Sequence, residues 1–440
     1  MKRLYDVIPL AMMLALCVVS CSKDDTPQKQ QTENNEEVTP VVPKEDDTRP
    51  HHSAPRAIPL TEEQLGYVGA NNDFAFSLYR RVMEQARTAD TSSVFSPLSV
   101  TYALGMVAEG AEGETLEEIK TALGFGADAQ GITGFCQTMM ENAPLADETV
   151  KLNIANSFYL NSLKHFTLKD SYASRLKSCY KADIESLDFS QPSSADHINS
   201  WCNLQTNGMI PKVLEKLDKD AVSYLLNALY FKAYWNVPFD KEETQDGDFT
   251  KTNGTKQTVP FMHREGEIMY ARIPNLFSSV TLPYGNGSFR MHILLPDEGH
   301  TTGDVLTWLT QENWTSLVNY NQHGKEVDLL LPRFKVEFDA QDLISPLMAM
   351  GIRGAFGMGG SLTGICNEQD LLVGQMFQKA VIDVNETGSE GAAVTVVGVY
   401  ATSVGDDRGP IPFHANRPFI YLITEGSTGA VFFIGTYTGY

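Results

Sequence analysis

The sequence predicts a large α+β domain, with helices concentrated in the first half of the chain and strands in the second. Apolar residues at every fourth position over 74–82 share one helix face. Apolar residues recur at every second position over 291–295 and over 334–338, which indicates strands. The chain nears its end on Ala-Val-Phe-Phe-Ile at 430–434, a run typical of a buried strand. Helices first and strands later favour an α+β architecture over alternating units.

A further helix is predicted to start at Thr115. Thr115 and Glu118 have the spacing of a capping box, in which each side chain accepts a hydrogen bond from the other residue's backbone N–H. The motif satisfies amides that the first helical turn leaves without partners. Leu116, Ile119 and Leu123 then form the apolar stripe of this helix.

Composition indicates a globular protein with a sizeable core and an acidic surface. The chain has 440 residues, of which 42% are hydrophobic and 10% aromatic, and this composition excludes a disordered chain. Its formal net charge is −21. Such a surface repels phosphate groups, so a nucleic-acid partner is not expected.

The first twenty residues predict a signal peptide. Residues 1–3, Met-Lys-Arg, supply a positive start, and a nearly uncharged apolar run follows over 7–20, which is short for a transmembrane helix. The run ends in Val-Val-Ser-Cys, which resembles the lipobox of bacterial lipoproteins. This resemblance implies cleavage after Ser20 and a lipid on Cys21. An ordinary secretory signal that happens to contain Cys21 is the alternative.

Residues 21–57 predict a flexible, lipid-anchored tether. They are rich in Gln, Asn, Glu, Asp, Thr and Pro, so they cannot bury enough apolar surface to fold, and their prolines keep them extended. The acidic run that begins at Asp24 resembles a surface-export signal. We therefore expect a folded domain over 58–440 that is held by its lipid on the surface of a bacterial outer membrane, with no other membrane contact.

The cysteines predict neither a metal site nor a defined disulfide pattern. Cys136, Cys179, Cys202 and Cys366 lie far apart, without a Cys-x-x-Cys pair, so a structural zinc site is not expected. They are best interpreted as small buried apolar residues. An extracellular location permits disulfides, but the sequence does not pair them. No metal or cofactor is expected.

Motifs of common hydrolases are missing or incomplete. The sequence contains neither Gly-x-Ser-x-Gly nor His-Glu-x-x-His. Ser178 and Lys181 fit the Ser-x-x-Lys pattern of penicillin-binding hydrolases, but no Lys-Thr-Gly sequence accompanies them. We therefore expect a protein that is not an enzyme.

A segment near the C-terminus allows two interpretations. Residues 381–386 are typical of a strand, and residues 387–402 begin with small side chains and continue with β-branched ones. Every second residue from Ser389 to Val399 is small or apolar and uncharged. The pattern alone favours an ordinary buried strand, and the alternative is an exposed segment that can become one. Gly388 is a natural hinge because it lacks a Cβ atom.

A series of motifs from about residue 66 to the C-terminus resembles the serpin family of protease inhibitors. Each motif is short, but their order and spacing over some 370 residues are specific. The motifs are Phe-Ser-Pro-Leu-Ser at 95–99, Gly-Ala-x-Gly-x-Thr at 110–115, Asn-x-Trp at 199–201, Thr-x-Gly-x-Ile at 206–210, Asn-Ala-Leu-Tyr-Phe-Lys-Ala-Tyr-Trp at 227–235, Leu-Pro-Arg-Phe at 331–334 and Arg-Pro-Phe at 417–419.

The resemblance implies a serpin fold, in which helices surround three β-sheets and a reactive-centre loop is exposed. A protease cuts this loop and forms an acyl-enzyme with it, and the cut loop then enters the main sheet as a new central strand. Small uncharged residues in the hinge of the loop favour an inhibitor over the alternative, a non-inhibitory serpin that acts as a surface binding module. The implied hinge residues are Glu386, Gly388, Ser389, Glu390, Gly391, Ala392 and Ala393.

The resemblance also implies a polar region that controls the opening of the main sheet. Serpins often have Asn at the position of Ser92 and His at that of Gln378. Both side chains found here can still form hydrogen bonds, so we expect an altered gate and not a lost one. The residues assigned to this region are Ser92, Ser96, Ser99, Asn227, Trp235 and Gln378.

The reactive bond is predicted between Thr402 and Ser403. In serpins it usually follows the seventeenth loop residue, counted here from Glu386. Small side chains before this bond suit an elastase- or subtilisin-like protease. Other residues near it would attract other proteases. These alternatives are Tyr400, Ala401 and Arg408.

The expected partners follow from the loop. They are serine proteases, with cysteine proteases as a further class, and the inhibitor is expected to act as a monomer. The family supplies this expectation, since composition and periodicity identify no protease.

Overall fold

The computed structural model describes residues 53–86, 91–126, 129–164, 166–320, 324–357, 359–366, 371–389 and 409–439. The predictions for 1–52 and for 390–408 therefore lie outside the described residues. The helices are α1 (Glu62–Ala86), α2 (Pro97–Ala108), α3 (Gly113–Leu123), α4 (Ala129–Asn142), α5 (Asp170–Cys179), α6 (Pro192–Gln205), α7 (Thr302–Trp308), α8 (Gln311–Tyr320) and α9 (Ile344–Ala349).

Most strands follow the first six helices, as the α+β prediction requires, and the prediction is confirmed. Short 3-10 turns lie at Ala143–Leu145 and Lys241–Glu243. The strands are β1 (Ser93–Phe95), β2 (Lys151–Asn161), β3 (Asp183–Leu187), β4 (Ser223–Tyr234), β5 (Gln245–Thr250), β6 (Lys256–Ile273), β7 (Phe277–Tyr284), β8 (Phe289–Pro296), β9 (Gly324–Pro332), β10 (Phe334–Ala340), β11 (Gln378–Asn385), β12 (Gly388–Ser389), β13 (Ile411–His414), β14 (Phe419–Glu425) and β15 (Val431–Tyr437).

Helix α2 lies at the centre of the helical part of the domain. Pro97 occupies its first turn, where the missing N–H costs nothing, and Ser96 caps the helix by accepting a hydrogen bond from the amide of Ser99 (3.4 Å). Every residue of α2 is buried, and the helix contacts α1, β4 and β15. The apolar faces predicted for α1 and α3 are also confirmed. Their fully or almost fully buried members are Phe74, Leu78, Val82, Ile119 and Leu123.

The capping box predicted at Thr115 is wrong. Helix α3 begins at Gly113, so Thr115 lies inside its first turn and not before it. The Thr115 hydroxyl accepts a hydrogen bond from the amide of Ser361 (2.9 Å), and the Glu118 carboxylate accepts from the amides of 353–354 (2.8 and 2.6 Å). Both side chains therefore bind a loop that is distant in sequence. The spacing of Thr115 and Glu118 along the chain cannot predict such a contact.

The described strands form two hydrogen-bonded sheets. The larger has nine strands in the order β1-β15-β14-β8-β7-β6-β9-β13, with β5 also paired to β6. Strand β6 has 18 residues and pairs successively with β5, β9 and β7. It therefore joins two lobes that would otherwise be separate sheets, and this continuity explains why two hydrogen-bonded sheets stand where the family implies three.

The smaller sheet has six strands in the order β10-β11-β12-β4-β2-β3. Its two faces are covered differently, as β4 shows. Phe231 and Ala233 of β4 belong to the main hydrophobic core, whereas Leu226 and Ala228 belong to a second cluster that includes Ile198 of α6. The sheet therefore lies between the main core and α6.

Within the described residues, Ile58 is the first buried side chain, and its amide donates to the hydroxyl of Ser427 (3.1 Å). None of the helices in this part of the chain is long and apolar enough to cross a membrane.

Candidate functional site

The hinge segment already lies inside the six-stranded sheet. Strand β12 consists of Gly388 and Ser389 and pairs in antiparallel orientation with both β11 and β4. Ser389 lies opposite Val384 on one side and Ala233 on the other. Neighbouring strands are about 4.8 Å apart, so β12 separates β11 from β4 by about 10 Å. Among the described residues, β4 and β11 do not pair with each other.

Gly388 is required where β12 enters the sheet. Its φ is +152°, and a Cβ atom at this position would lie 2.0 Å from the carbonyl oxygen of Ala233. That distance is far below a van der Waals contact, and the obstacle is backbone that cannot rotate away. A side chain at this position would therefore push β12 away from β4.

Ser389 is fixed by a buried hydrogen bond. Its side chain is 1% exposed, and its hydroxyl lies 2.6 Å from that of Tyr284 at the end of β7. Burial raises the pKa of Tyr284 well above its ordinary value, so the phenol keeps its proton. The Tyr284 ring stacks on Trp235, with centroids 4.3 Å apart and an interplanar angle of 10°.

The turn between β11 and β12 is held by the segment that follows β4. Trp235 donates twice, from its indole Nε1 to the carbonyl of Asn385 (2.8 Å) and from its amide to the carbonyl of Thr387 (2.9 Å). The amide of Phe239 donates to the carbonyl of Glu386 (2.9 Å). Three consecutive carbonyls of the turn thus have partners in one neighbouring segment.

Glu386 carries a buried carboxylate at this turn. Its side chain is 4% exposed. Its Oε1 accepts a hydrogen bond from the hydroxyl of Thr244 (2.9 Å) and lies 3.4 Å from Nη1 of Arg333. A buried carboxylate needs such partners, because an unpaired one would cost several kcal/mol. Arg333 is half-exposed and follows β9 directly.

Two of the residues assigned to the sheet gate form a pair of reciprocal hydrogen bonds. The Gln378 side chain accepts from the amide of Ser96 (2.7 Å) through Oε1 and donates to the Ser96 carbonyl (2.8 Å) through Nε2. The Ser96 hydroxyl also accepts from the Ser99 hydroxyl (3.0 Å). The start of β11 is therefore tied to the start of α2.

The other assigned gate residues lie elsewhere. Ser92 accepts a hydrogen bond from the amide of Thr438 (3.0 Å), near the end of the chain. Asn227 of β4 donates to Asn156 Oδ1 (2.8 Å) and to the carbonyl of Ala155 (3.3 Å). Its own Oδ1 is buried and has no hydrogen-bond partner within the described part of the chain. Trp235 belongs to the hinge, as described above.

Several predicted site residues lie outside the described residues. They are Cys21, Glu390, Gly391, Ala392, Ala393, Tyr400, Ala401, Thr402, Ser403 and Arg408. Sequence reasoning did not assign a role to Tyr284, Thr244, Phe239 or Arg333. Only Arg333 carried a signal, as part of the Leu-Pro-Arg-Phe motif at 331–334.

The Ser-x-x-Lys pattern and the cysteines are the other residues that the sequence raised for catalysis or metal binding. The hydroxyl of Ser178, near the end of α5, donates to the Arg175 carbonyl (3.3 Å). The described residues contain no group of three or more His, Cys, Asp or Glu side chains that could hold a metal ion. The four cysteines were predicted to be small buried residues. Cys136, Cys202 and Cys366 are buried, and Cys179 is half-buried.

Comparisons with known proteins agree with this geometry. The family model Serpin (serine protease inhibitor) matches residues 69–439. Iripin-2 from Ixodes ricinus is 33% identical over 382 residues, which cover 85% of this chain and 94% of that protein. The leukocyte elastase inhibitor of Equus caballus is 33% identical over 383 residues, which cover 84% of this chain and 98% of that protein.

Two solved structures are similar over most of their length. The thermophilic serpin tengpin in its native state superposes with a TM-score of 0.78 at 29% identity, covering 88% of this chain and 96% of that one. Human thyroxine-binding globulin superposes with a TM-score of 0.77 at 28% identity, covering 85% of this chain and 98% of that one. The similarity extends across the whole described domain.

Proposed function

The chain belongs to the serpin family, and on that premise we propose that it is an inhibitory serpin that traps serine proteases as covalent acyl-enzymes. The observation that carries the proposal is β12, because the first loop residues already occupy a strand position between β11 and β4. β12 is antiparallel to both neighbours, so the residues after Ser389 can extend it without a change of direction.

In the proposed mechanism, the protease supplies all of the chemistry. Its nucleophile attacks the carbonyl carbon of Thr402, the amine of Ser403 leaves with a proton, and an acyl bond joins the protease to Thr402. The freed loop then extends β12 and carries the protease along. Deacylation needs an intact catalytic site, so distortion of that site during insertion preserves the acyl bond. The inhibitor itself needs no catalytic group.

The observed register defines where each inserted residue would lie. Ser389 pairs with Ala233 and with Val384, and each further step along the loop moves one residue back along both strands. If the loop inserted and this register continued without a bulge, Thr395 would lie opposite both Asn227 and Gln378. Directly opposite residues share a face of the sheet. We propose that the hydroxyl of inserted Thr395 donates to the buried Oδ1 of Asn227.

Insertion also supplies the driving force. Roughly a dozen new ladder hydrogen bonds at about 1 kcal/mol each give on the order of 10 kcal/mol. The alternating face that begins at Ser389 contains no charged residue until beyond Val399, so its burial carries no charge penalty. The names of the relatives support protease inhibition in general, and the hinge composition supports this mode of inhibition.

The test is a panel of elastase-, subtilisin-, chymotrypsin- and trypsin-like proteases, with cysteine proteases included. A complex that survives denaturing electrophoresis and contains both proteins is expected with an elastase- or subtilisin-like enzyme. Cleavage of the chain by every protease without any such complex would contradict inhibition and would favour the binding-module alternative.

The reactive bond can be located in the same complexes. If Thr402 forms the acyl bond, the C-terminal fragment that denaturation releases begins at Ser403, and mass spectrometry can identify it. Trypsin is expected to cut mainly after Arg408, six residues later, and to turn the inhibitor over as a substrate. Cleavage there leaves six more loop residues between the inserted strand and the protease. The acyl bond can therefore hydrolyse before insertion distorts the catalytic site of the protease. A trapped complex whose released fragment begins at Gly409 would overturn the assignment.

We also propose that the chain is a lipoprotein on the surface of a bacterial outer membrane, with the lipid on Cys21. The support is the lipobox at 18–21 and the acidic run beginning at Asp24. Replacement Cys21→Ala is expected to abolish lipid labelling and to release the protein or block its processing. Cys17→Ala, within the signal peptide, is the matched control and should remain lipid-labelled. Lipid labelling that persists in the Cys21→Ala protein would contradict the anchor.

A further inference from the structure

One arginine of the nine-stranded sheet holds the segment that follows β4. Arg264 of β6 is 8% exposed, and its Nη1 donates to the carbonyl of Val237 (2.6 Å). The guanidinium carbon of Arg264 lies 5.4 Å from the centroid of the Phe239 ring. Val237 and Phe239 belong to the segment 235–239, which donates three hydrogen bonds to the turn between β11 and β12. We call this segment the hinge clamp.

The two contacts of Arg264 suit a guanidinium. A hydrogen bond from a charged donor is stronger than one between neutral groups. The guanidinium is also planar, so it can donate from its edge while its charge is attracted to the face of an aromatic ring. A lysine ammonium is a compact charge without such a plane, so it should preserve only part of this arrangement.

Phe239 connects Arg264 to the hinge. Its side chain is 5% exposed, and its ring packs edge-to-face against that of Trp235, with centroids 6.2 Å apart. Its amide donates to the carbonyl of Glu386 (2.9 Å). The same residue thus contacts Arg264 through its ring and the turn through its backbone. A shift of the ring would therefore disturb the hydrogen bond that holds Glu386.

Strand β6 gives Arg264 a firm position. Arg264 lies opposite Leu329 in the register of β6 and β9, and Leu329 is fully buried. Phe261 and Met262 of β6 are buried as well. Because protein interiors are closely packed, we expect β6 to keep its place when the hinge moves.

The start of the hinge clamp is held by the turn between β7 and β8. Trp235 stacks on Tyr284, as described above. The side chain of Asn236 donates to the Gly285 carbonyl (2.7 Å). Arg264 contacts the other end of the clamp. Loss of the arginine should therefore loosen the end of the clamp more than its start.

We infer that Arg264 is a positioning residue that keeps the end of the hinge clamp on the turn between β11 and β12. Strand β12 has only two residues, so its place in the sheet depends on the contacts of this turn. Without Arg264, Phe239 should hold Glu386 less firmly, and β12 should spend more time outside the sheet. The consequence for trapping rests on the proposed function, because β12 must be in the sheet before the cut loop can extend it. The attachment of the turn does not.

Hydrogen exchange of the clamp amides in the purified full-length protein tests the inference without a protease. The amides of Phe239 and Trp235 both donate to the turn, so their exchange reports how often these bonds open. In Arg264→Met, protection at Phe239 should fall about tenfold, as for the loss of a hydrogen bond from a charged donor. Protection at Trp235 should fall less. Protection at Ile423 in β14 should stay unchanged, whereas a general loss of stability would lower it too.

Arg264→Lys keeps a positive charge on the same strand. Its protection at Phe239 should lie between those of Arg264→Met and the wild-type protein. This variant also keeps the test decisive if Arg264→Met does not fold. Unchanged protection at Phe239 in the folded variants, or an equal loss at Phe239 and at Ile423, would overturn the inference.

The matched control is Arg417→Met. Arg417 also donates to a backbone carbonyl, that of Pro296 at the end of β8 (2.7 Å), but it does not contact the hinge clamp through this bond. The control should keep the wild-type protection at Phe239. A loss of Phe239 protection in Arg417→Met as large as that in Arg264→Met would contradict a specific role of Arg264.

The protease panel gives a separate measurement. If the proposed function holds, Arg264→Met should raise the ratio of cleaved chain to trapped complex at least about twofold, because β12 starts outside the sheet more often. If the wild-type protein trapped no protease, the proposed function would fail. The exchange of the Phe239 amide would still decide the role of Arg264.

Discussion

The two sheets of this protein differ in how completely their strands are paired. In the nine-stranded sheet, β14 pairs along its length with β8 and β15, and every residue of β14 and β15 is buried. In the six-stranded sheet, the two residues of β12 are all that join β11 to β4 among the described residues. One sheet is complete, and the other has a strand position that the described chain only begins to fill.

Because of this difference, substitutions in the nine-stranded sheet should affect the stability of the protein, and substitutions in the hinge of the six-stranded sheet should affect protease trapping. Removing buried side chains from a fully paired sheet lowers the stability of any state of the protein, because that sheet needs no rearrangement. The six-stranded sheet can gain strand pairing where the loop extends β12. Changes at its hinge should therefore alter whether the inserted state forms. Effects on stability and effects on protease trapping should therefore be separable by position.

The largest effect is expected from Ser389→Arg. The Ser389 side chain is 1% exposed, and its hydrogen-bond partner within the described residues is the uncharged Tyr284 hydroxyl, so a guanidinium there would replace a neutral buried contact with a buried charge. An uncompensated buried charge costs about 3–5 kcal/mol. In the uncut protein this cost should drive β12 out of the sheet, so insertion, which must bury the arginine again, should slow by at least about a hundredfold, at 1.4 kcal/mol per factor of ten. The inhibitor should then become a substrate. The ratio of trapped complex to cleaved chain on denaturing gels measures this.

Ser389→Ala is the matched control, because it removes the Tyr284 hydrogen bond but adds no charge. It should lose about 1 kcal/mol and keep most of the trapping. If Ser389→Arg trapped proteases with the same stoichiometry as the wild-type protein, β12 would not be the first part of the inserting strand.

The next largest effect is expected from Ile423→Ala in β14. Ile423 is fully buried in the nine-stranded sheet, and such truncations cost about 2–5 kcal/mol. Because this sheet is complete, thermal unfolding should show the same loss for the intact protein and for the loop-cleaved protein. Ile411→Ala on the partly buried edge strand β13 should cost less. If stability were lost in only one of these forms, the intact or the loop-cleaved protein, the nine-stranded sheet would not be independent of loop insertion.

The smallest effect is expected from Gln378→Leu at the start of β11. It removes two hydrogen bonds and leaves the backbone N–H and C=O of Ser96 without their partner, which costs about 1–3 kcal/mol. The tie between β11 and α2 should weaken, so the uncut inhibitor should lose activity faster on warming. Gln378→His can restore one of the two bonds and should fall between. Unchanged stability in both variants would show that Gln378 does not help to control the opening of the sheet.

Local patterns predicted much of the fold and part of the hinge. The alternation at 334–338 predicted a strand, and Phe334, Val336 and Phe338 are its buried residues. The alternation from Ser389 to Val399 predicted an uncharged face, and Ser389, the member of that face that lies within the described residues, is buried. The capping box failed because Thr115 and Glu118 bind a loop more than 230 residues away in sequence, at 353–361.

By itself the sequence determined the α+β class, the apolar faces of α1 and α3, and the uncharged face of the hinge, because these depend on periodicity within a single element. Only the tertiary structure decided that β12 lies between β11 and β4, that Tyr284 meets Ser389 across 105 residues, and that Glu386 meets Thr244 and Arg333. Those contacts join different elements of the fold. The spacing of residues along one strand carries no information about which strand lies beside it.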